Sequence, residues 1–183
     1  MRPRERQKPI PAFSFRGRLP SDSGPTLQQI PLDGSQPRSI SLQANNEPGA
    51  TDLFVADETY AYLALGGCPC DGKNTTTPAG KIARVALDGS ARSTLAEFPG
   101  VASSLTRDGT HLYWATDTTV SKVAMAGGPV TTIAGNLTKG TNPTCTGGCG
   151  GQPARYVTVA VDATSAYIAD GWPNVNVLLK VKK

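Results

Sequence analysis

One pattern recurs three times and constrains the fold of this chain more than any other feature. Segments 52–64 (DLFVADETYAYLA), 104–115 (SLTRDGTHLYWA) and 157–169 (VTVAVDATSAYIA) each run from an apolar stretch through an Asp-x-Thr turn into a stretch built on a tyrosine. The turns are Asp57-Glu58-Thr59, Asp108-Gly109-Thr110 and Asp162-Ala163-Thr164, and the tyrosines are Tyr62, Tyr113 and Tyr167. Aspartate suits such a turn because its carboxylate accepts backbone N–H groups just downstream. A second pattern alternates with the first, at 27–42, 81–98 and 120–137, with an incomplete copy, LLKVKK, at 178–183. Each full copy places Asp33-Gly34, Asp88-Gly89 or Gly127-Gly128 between two β-rich runs. These pairs tolerate positive φ and predict tight two-residue hairpins.

Joined, the two patterns read as four short antiparallel strands per unit, with partial units at both ends and thirteen strands expected. Repeated four-stranded units are the grammar of β-propeller blades. The expectation is therefore an all-β chain of about three blade-equivalents, an incomplete ring spanning residues 26–183, with loop inserts at 66–80 and 138–155. Open blades leave strand edges unpaired. The strand count thus predicts either a segment of a longer propeller or two chains associating through their open edges. In the third strand of each unit a basic residue (Arg84, Lys122, Lys180; Gln29 in the first copy) precedes an aliphatic one (Val85, Val123, Val181; Ile30). Period-two alternation sends such neighbours to opposite faces, predicting a solvated basic column and a buried aliphatic one.

The middle unit carries a family resemblance. His111-Leu112-Tyr113-Trp114-Ala115-Thr116-Asp117, followed by Val120-Ser121-Lys122-Val123-Ala124-Met125-Ala126-Gly127-Gly128, resembles the YWTD repeat of low-density-lipoprotein-receptor-type propellers and their TolB-like and NHL-like six-bladed relatives. Ala115 stands between Trp114 and Thr116, where the four-letter core of the family has no residue. The flanking units keep Tyr62-Leu63-Ala64 and Tyr167-Ile168-Ala169-Asp170. The resemblance implies a propeller architecture whose loop-bearing face binds ligands. Relatives of this kind include lactonases, lyases and other hydrolases that hold a metal in the central channel.

The charge is unevenly placed. The net +4 lies wholly within residues 1–25, which hold six basic and two acidic groups, while the remaining residues hold twelve of each. That opening stretch contains Pro3, Pro9, Pro11, Pro20 and Pro25 and reads as a disordered basic leader. Its basic start is followed by no apolar run, so it does not read as a secretory signal. The electrically balanced remainder gives no reason to expect nucleic acid. No apolar stretch approaches the length of a membrane helix.

Four cysteines, Cys68, Cys70, Cys145 and Cys149, fall in the two inserts and nowhere else. Disulfides, free thiols and a zinc site each fit four loop cysteines, although the C-x-C and C-x3-C spacings depart from the usual zinc knuckle. No metal or cofactor is assigned. The loop cysteines and the resemblance together imply an extracellular or periplasmic chain. Strand order puts the first insert, a turn between second and third strands, at the same end as the second insert, a connection between units. Asp117, Asp170 and Trp172 follow second strands at that end and are the ligand-face candidates. No catalytic residue is assigned: the single histidine, His111, sits on a turn at the opposite end, and Asp57, Asp108 and Asp162 repeat as turn-formers. The expected function is a non-enzymatic binding or scaffold module for an unknown protein or small molecule. The alternative is a fragment of a propeller hydrolase or lyase with catalytic residues partly outside this chain.

Overall fold

Short β-rich runs punctuated by turn residues fold into strands alone. The computed structural model describes residues 12–16, 26–30, 34–41, 50–66, 79–137, 157–172 and 175–183. They form β1 (Ala12–Arg16), β2 (Thr26–Ile30), β3 (Arg38–Ser41), β4 (Ala50–Ala56), β5 (Tyr60–Gly66), β6 (Ala79–Ala86), β7 (Arg92–Pro99), β8 (Ser104–Arg107), β9 (His111–Ala115), β10 (Val120–Ala124), β11 (Thr131–Ala134), β12 (Val157–Val161), β13 (Ser165–Trp172) and β14 (Val175–Lys182). The strands make four antiparallel sheets in up-and-down order: β1-β2-β3, β4 to β7, β8 to β11, and β12-β13-β14. None closes on itself. Among the described residues there is no helix, and hence none long and apolar enough to cross a membrane.

The fourteen strands include one that the leader reading misses. Ala12–Arg16 pairs with β2, placing Phe13 opposite Gln29 and Phe15 opposite Leu27. The run AFSFR alternates aromatic and small or polar residues, a β pattern, and Pro11 precedes the strand without interrupting it. Composition averaged over twenty-five residues conceals so short a signal.

Hydrophobic cores lie between the sheets. Leu27 and Ile40 of the first sheet meet Ala61, Leu63, Leu65, Ala83 and Val85 of the second. On the opposite side of that second sheet, Tyr62, Ala64, Ile82 and Ala96 meet Leu112, Trp114 and Val123 of the third. Tyr113, Ala115 and Val120 then cover Val157, Val159, Ala166 and Ile168 of the fourth. Neighbouring residues along β5 therefore face different cores, and both are buried: Ala61, Leu63 and Leu65 on one side, Tyr62 and Ala64 on the other. Each fully buried aliphatic side chain contributes roughly 1.5–3 kcal/mol relative to exposure.

This two-sided burial corrects the solvated basic column. Arg84 does not project into water; its Nη1 donates to the Met125 carbonyl of the third sheet at 3.2 Å, and its guanidinium lies 4.8 Å from the centre of the Tyr60 ring. Alternation assigns the face correctly, but stacking covers that face with another sheet. Only Lys180, on the outer side of the fourth sheet, remains exposed as expected.

The hairpin loops are also longer than two residues. Between β6 and β7, Gly89 adopts φ 78°. Its N–H meets the Ala86 carbonyl at 2.9 Å, the Asp88 carboxylate accepts the Ser90 N–H at 2.8 Å, and the Ala86 N–H donates to the Ala91 carbonyl at 2.8 Å. The Asp-Gly pair supplies the left-handed residue, while the Asp88 side chain closes a wider loop.

Polar contacts join β4, β8 and β12 along one edge of the stack. Arg107 Nε donates to the Ala56 carbonyl at 3.0 Å. Ser103 Oγ donates to the Val157 carbonyl at 2.7 Å and accepts its N–H at 3.2 Å, and Ser104 Oγ accepts the Val159 N–H at 2.9 Å.

The three Asp-x-Thr turns share one bonding scheme that extends beyond the turn. In each, one carboxylate oxygen accepts two backbone N–H groups: Thr59 and Tyr60 on Asp57, Thr110 and His111 on Asp108, and Thr164 and Ser165 on Asp162. The other oxygen accepts the tyrosine hydroxyl five residues on, at 2.9 Å for Tyr62, 2.8 Å for Tyr113 and 2.8 Å for Tyr167. The shared spacing of aspartate and tyrosine therefore sets a hydrogen-bonded bolt across each first hairpin. Burial raises the pKa of Asp57 and Asp108, but hydrogen-bond donors outweigh it, the amides for Asp57 and Lys183 first for Asp108. Asp162 is held low by the Thr164 amide, the Tyr167 hydroxyl and the Ser165 amide.

All three carboxyls are thus held below their ordinary range in the folded chain. Their contribution to stability is complete above the unfolded value of about 4 and is lost as pH falls below it. Melting temperature should hold steady from pH 7 to about 5 and decline below about 4. Tyr62→Phe, which leaves a carboxylate oxygen short of a donor, should cost about 1–2 kcal/mol in a denaturant titration at neutral pH. Acid-insensitive melting, or a neutral Tyr62→Phe, would show that the bolts do not hold the hairpins.

Candidate functional site

The turn between β9 and β10 is built around Thr116. Its Oγ1 accepts the Thr119 N–H at 3.1 Å, and its own N–H donates to the Thr119 carbonyl at 2.8 Å. Thr116 is buried, and the Thr118 carbonyl accepts the Leu137 N–H at 3.2 Å, tying the turn to the segment after β11. The connection from β7 to β8 arrives at this same end, since Ser104 pairs with Ala115 and the Ser103 N–H donates to the Ala115 carbonyl at 2.8 Å.

Asp117 occupies this turn and is 7% exposed. Its Oδ2 is buried without a hydrogen-bond partner among the described residues. A buried carboxylate oxygen is costly unless it is paired, so a missing donor here is the strongest chemical signal at this end of the sheets. Gly100, with φ 92°, is one neighbour: a Cβ built on it would sit 4.0 Å from Asp117 Oδ1. Beside it, Phe98 packs over Gly80 so closely that a Cβ on Gly80 would collide with the ring and crowd the Gly100 carbonyl. The Phe98 ring in turn lies 5.5 Å, centre to centre, from the ring of Trp114. Trp114 is 1% exposed, and its Nε1–H is the second buried side-chain polar group without a partner among the described residues.

A run of pairwise contacts through Gly100, Gly80 and Phe98 thus leads from the unpaired acceptor of Asp117 to the unpaired donor of Trp114. Such an arrangement suits a small polar group that gives a hydrogen bond to the carboxylate. The sequence identifies Asp117 for its place after a second strand, and the structure adds its burial. Gly80, Phe98 and Gly100 were legible only as parts of strands and turns, because close approach of a ring to a glycine has no local sequence signature. Trp114 is expected as a packing residue and does pack between the second and third sheets; its unpaired N–H depends on which neighbours the packing brings.

The other two ligand-face candidates hold different places. Register aligns Tyr167-Lys180 with Tyr113-Lys122, so Asp170 stands at the backbone position of Thr116 and not of Asp117. The side chains of Asp170 and Trp172 lie outside the described residues, as do Cys68, Cys70, Cys145 and Cys149. Among the described residues no group of three His, Cys, Asp or Glu side chains is placed to hold a metal ion. His111 lies at the opposite end, where its Nδ1 is 2.8 Å from Thr110 Oγ1. That end also carries the ion pair between Lys183 Nζ and Asp108 Oδ2 at 2.5 Å, which joins the fourth sheet to the third. A cleft of about 390 Å³ there is lined by Arg38, Ile40, Val85, Asp88 and Arg92. It follows the seam between the first two sheets, where Arg38 Nη2 donates to the Asp88 carbonyl at 2.7 Å.

Comparison with known proteins finds no family model and no curated sequence that matches this chain.

The tight seat of Phe98 makes a direct prediction. Gly80→Ala should push the ring away from Trp114 and destabilise the chain by about 1–3 kcal/mol. Near-ultraviolet circular dichroism should lose aromatic signal while the far-ultraviolet β spectrum is kept. An unchanged near-ultraviolet spectrum would show that Phe98 does not depend on the missing Cβ.

Proposed function

We propose that the chain is a non-enzymatic binding module built on a segment of a YWTD/TolB-like β-propeller, and that it takes its ligand at the Asp117 end. Support for the architecture comes from the stacking: successive up-and-down sheets share cores face to face and are linked along β4, β8 and β12, which would be the inner edge of such a segment. The single observation that carries the binding reading is the buried, unpaired Oδ2 of Asp117. A group kept desolvated and unsatisfied is explained most simply by an occupant that supplies the missing donor. The chemistry called for is a small molecule or a protruding side chain bearing a hydroxyl or ammonium group.

Asp117→Asn separates a binding role from a structural one. With a waiting carboxylate, the neutral isostere should leave the fold intact and stabilise the ligand-free chain by about 1–3 kcal/mol. A panel of small amines and polyols should raise the melting temperature of the wild-type chain for at least one member and fail to raise that of the variant. Loss of stability on Asp117→Asn, or identical ligand responses from both chains, would overturn the binding role.

A further inference from the structure

The β6–β7 turn and the β10–β11 turn are counterparts, yet what packs against them differs. Gly89 donates its N–H to the Ala86 carbonyl at 2.9 Å and Gly127 donates to the Ala124 carbonyl at 2.8 Å, with φ 78° and 92°. A Cβ on Gly127 would sit 3.8 Å from Leu95 Cδ2 of the second sheet, whereas one on Gly89 would meet nothing within 4 Å. Register gives the reason. Thr94 stands opposite Ala83 and Ala96 opposite Ile82, so Leu95 is an extra, bulged residue. Its side chain packs on the core between the second and third sheets. In the first sheet Ser39 stands opposite Gln28 and Ile40 opposite Leu27, with no residue between. The seam between the first two sheets therefore lacks the leucine that fills the next seam, and the cleft of about 390 Å³ lies there.

The lining of that cleft combines two chemistries. Ile40 and Val85, each 4% exposed, give it an aliphatic floor. Two guanidinium groups share the lining with them. Arg92 stands opposite Val85 across β6 and β7 and so faces the same seam. Arg38 carries five N–H groups, and the bond from its Nη2 to the Asp88 carbonyl at 2.7 Å uses one and orients the fork. Asp88 is the acid among the lining residues, and its carboxylate already accepts the Ser90 N–H at 2.8 Å.

We infer that this cleft binds a small aliphatic monocarboxylate, its chain resting on Ile40 and Val85 where a counterpart of Leu95 is missing, and its carboxylate held by Arg38 and Arg92. A planar carboxylate matches the guanidinium fork, and an apolar chain completes the seam as a leucine does one sheet further on. The volume is that of a small-molecule site. This site lies at the opposite end of the sheets from Asp117 and takes an anion, so the two readings stand or fall separately.

Isovalerate, a leucine-like chain bearing a carboxylate, is the direct probe. In an amide-resolved NMR titration of the full chain at neutral pH, it should shift Ile40, Gly89 and Ser90 saturably, while isoamyl alcohol leaves them in place. Arg38→Gln and Arg92→Gln should keep the far-ultraviolet spectrum and each weaken isovalerate roughly tenfold, as loss of a hydrogen bond to a charged group does. Arg38→Lys, which keeps the charge and loses the fork, should fall between. Absence of saturable shifts, an equal response to the alcohol, or an affinity that survives both glutamine variants would overturn the proposal. So would inorganic phosphate binding as tightly as isovalerate, which would leave the aliphatic floor without a part. Shifts centred on the Thr116–Thr119 turn would also overturn it, by placing the anion at the other end.

Discussion

The two middle sheets of the stack are apolar and buried on both faces, and the rest of the structure follows from that. Most small antiparallel sheets bury one face and wet the other. Here Tyr62 and Leu63, adjacent on β5, are 2% and 1% exposed while pointing into different cores. Such a sheet has no solvent side and is stable only between two others. Stacking is then obligatory. The polar contacts from Arg38, Arg84, Ser103, Ser104 and Arg107 fall at seams that the apolar faces have already brought together.

The same constraint separates the two ends of the sheets chemically. At one end, Asp57, Asp108 and Asp162 have both oxygens engaged, by backbone amides and a tyrosine hydroxyl in each case. At the other, Asp117 is buried with an oxygen that no donor reaches among the described residues. Four aspartates of identical intrinsic chemistry thus divide into three whose oxygens are all engaged and one with an oxygen that has no partner among the described residues. Position within the hairpin decides which: the three bolts precede second strands, and Asp117 follows one.

Repeat, strand class and sheet order were legible in the sequence because each rests on local chemistry. The Asp-x-Thr turns and the alternation in VTVAV and KIARV are read within a few residues. Less local features escaped. The strand AFSFR was hidden inside a proline-rich, charged stretch, and the basic column was assigned to water because alternation alone cannot say whether a second sheet covers the outer face. The aspartate–tyrosine bond was visible as a fixed spacing, but its meaning required the geometry that brings a hydroxyl back across the hairpin. At the opposite end, Asp117 was identified from strand order. Its unpaired oxygen and the Gly80–Phe98–Trp114 packing around it depend on contacts between sheets, for which the sequence carries no short-range mark.

Residue-resolved amide hydrogen exchange tests two-sided burial most directly. Amides of β5, β6, β9 and β10, in sheets covered on both sides, should exchange only through global unfolding, while those of β2 and β14, each in a sheet with one uncovered face, should exchange through smaller openings and lose protection first. Equal protection in the terminal and central sheets, or early exchange in β9, would contradict the account.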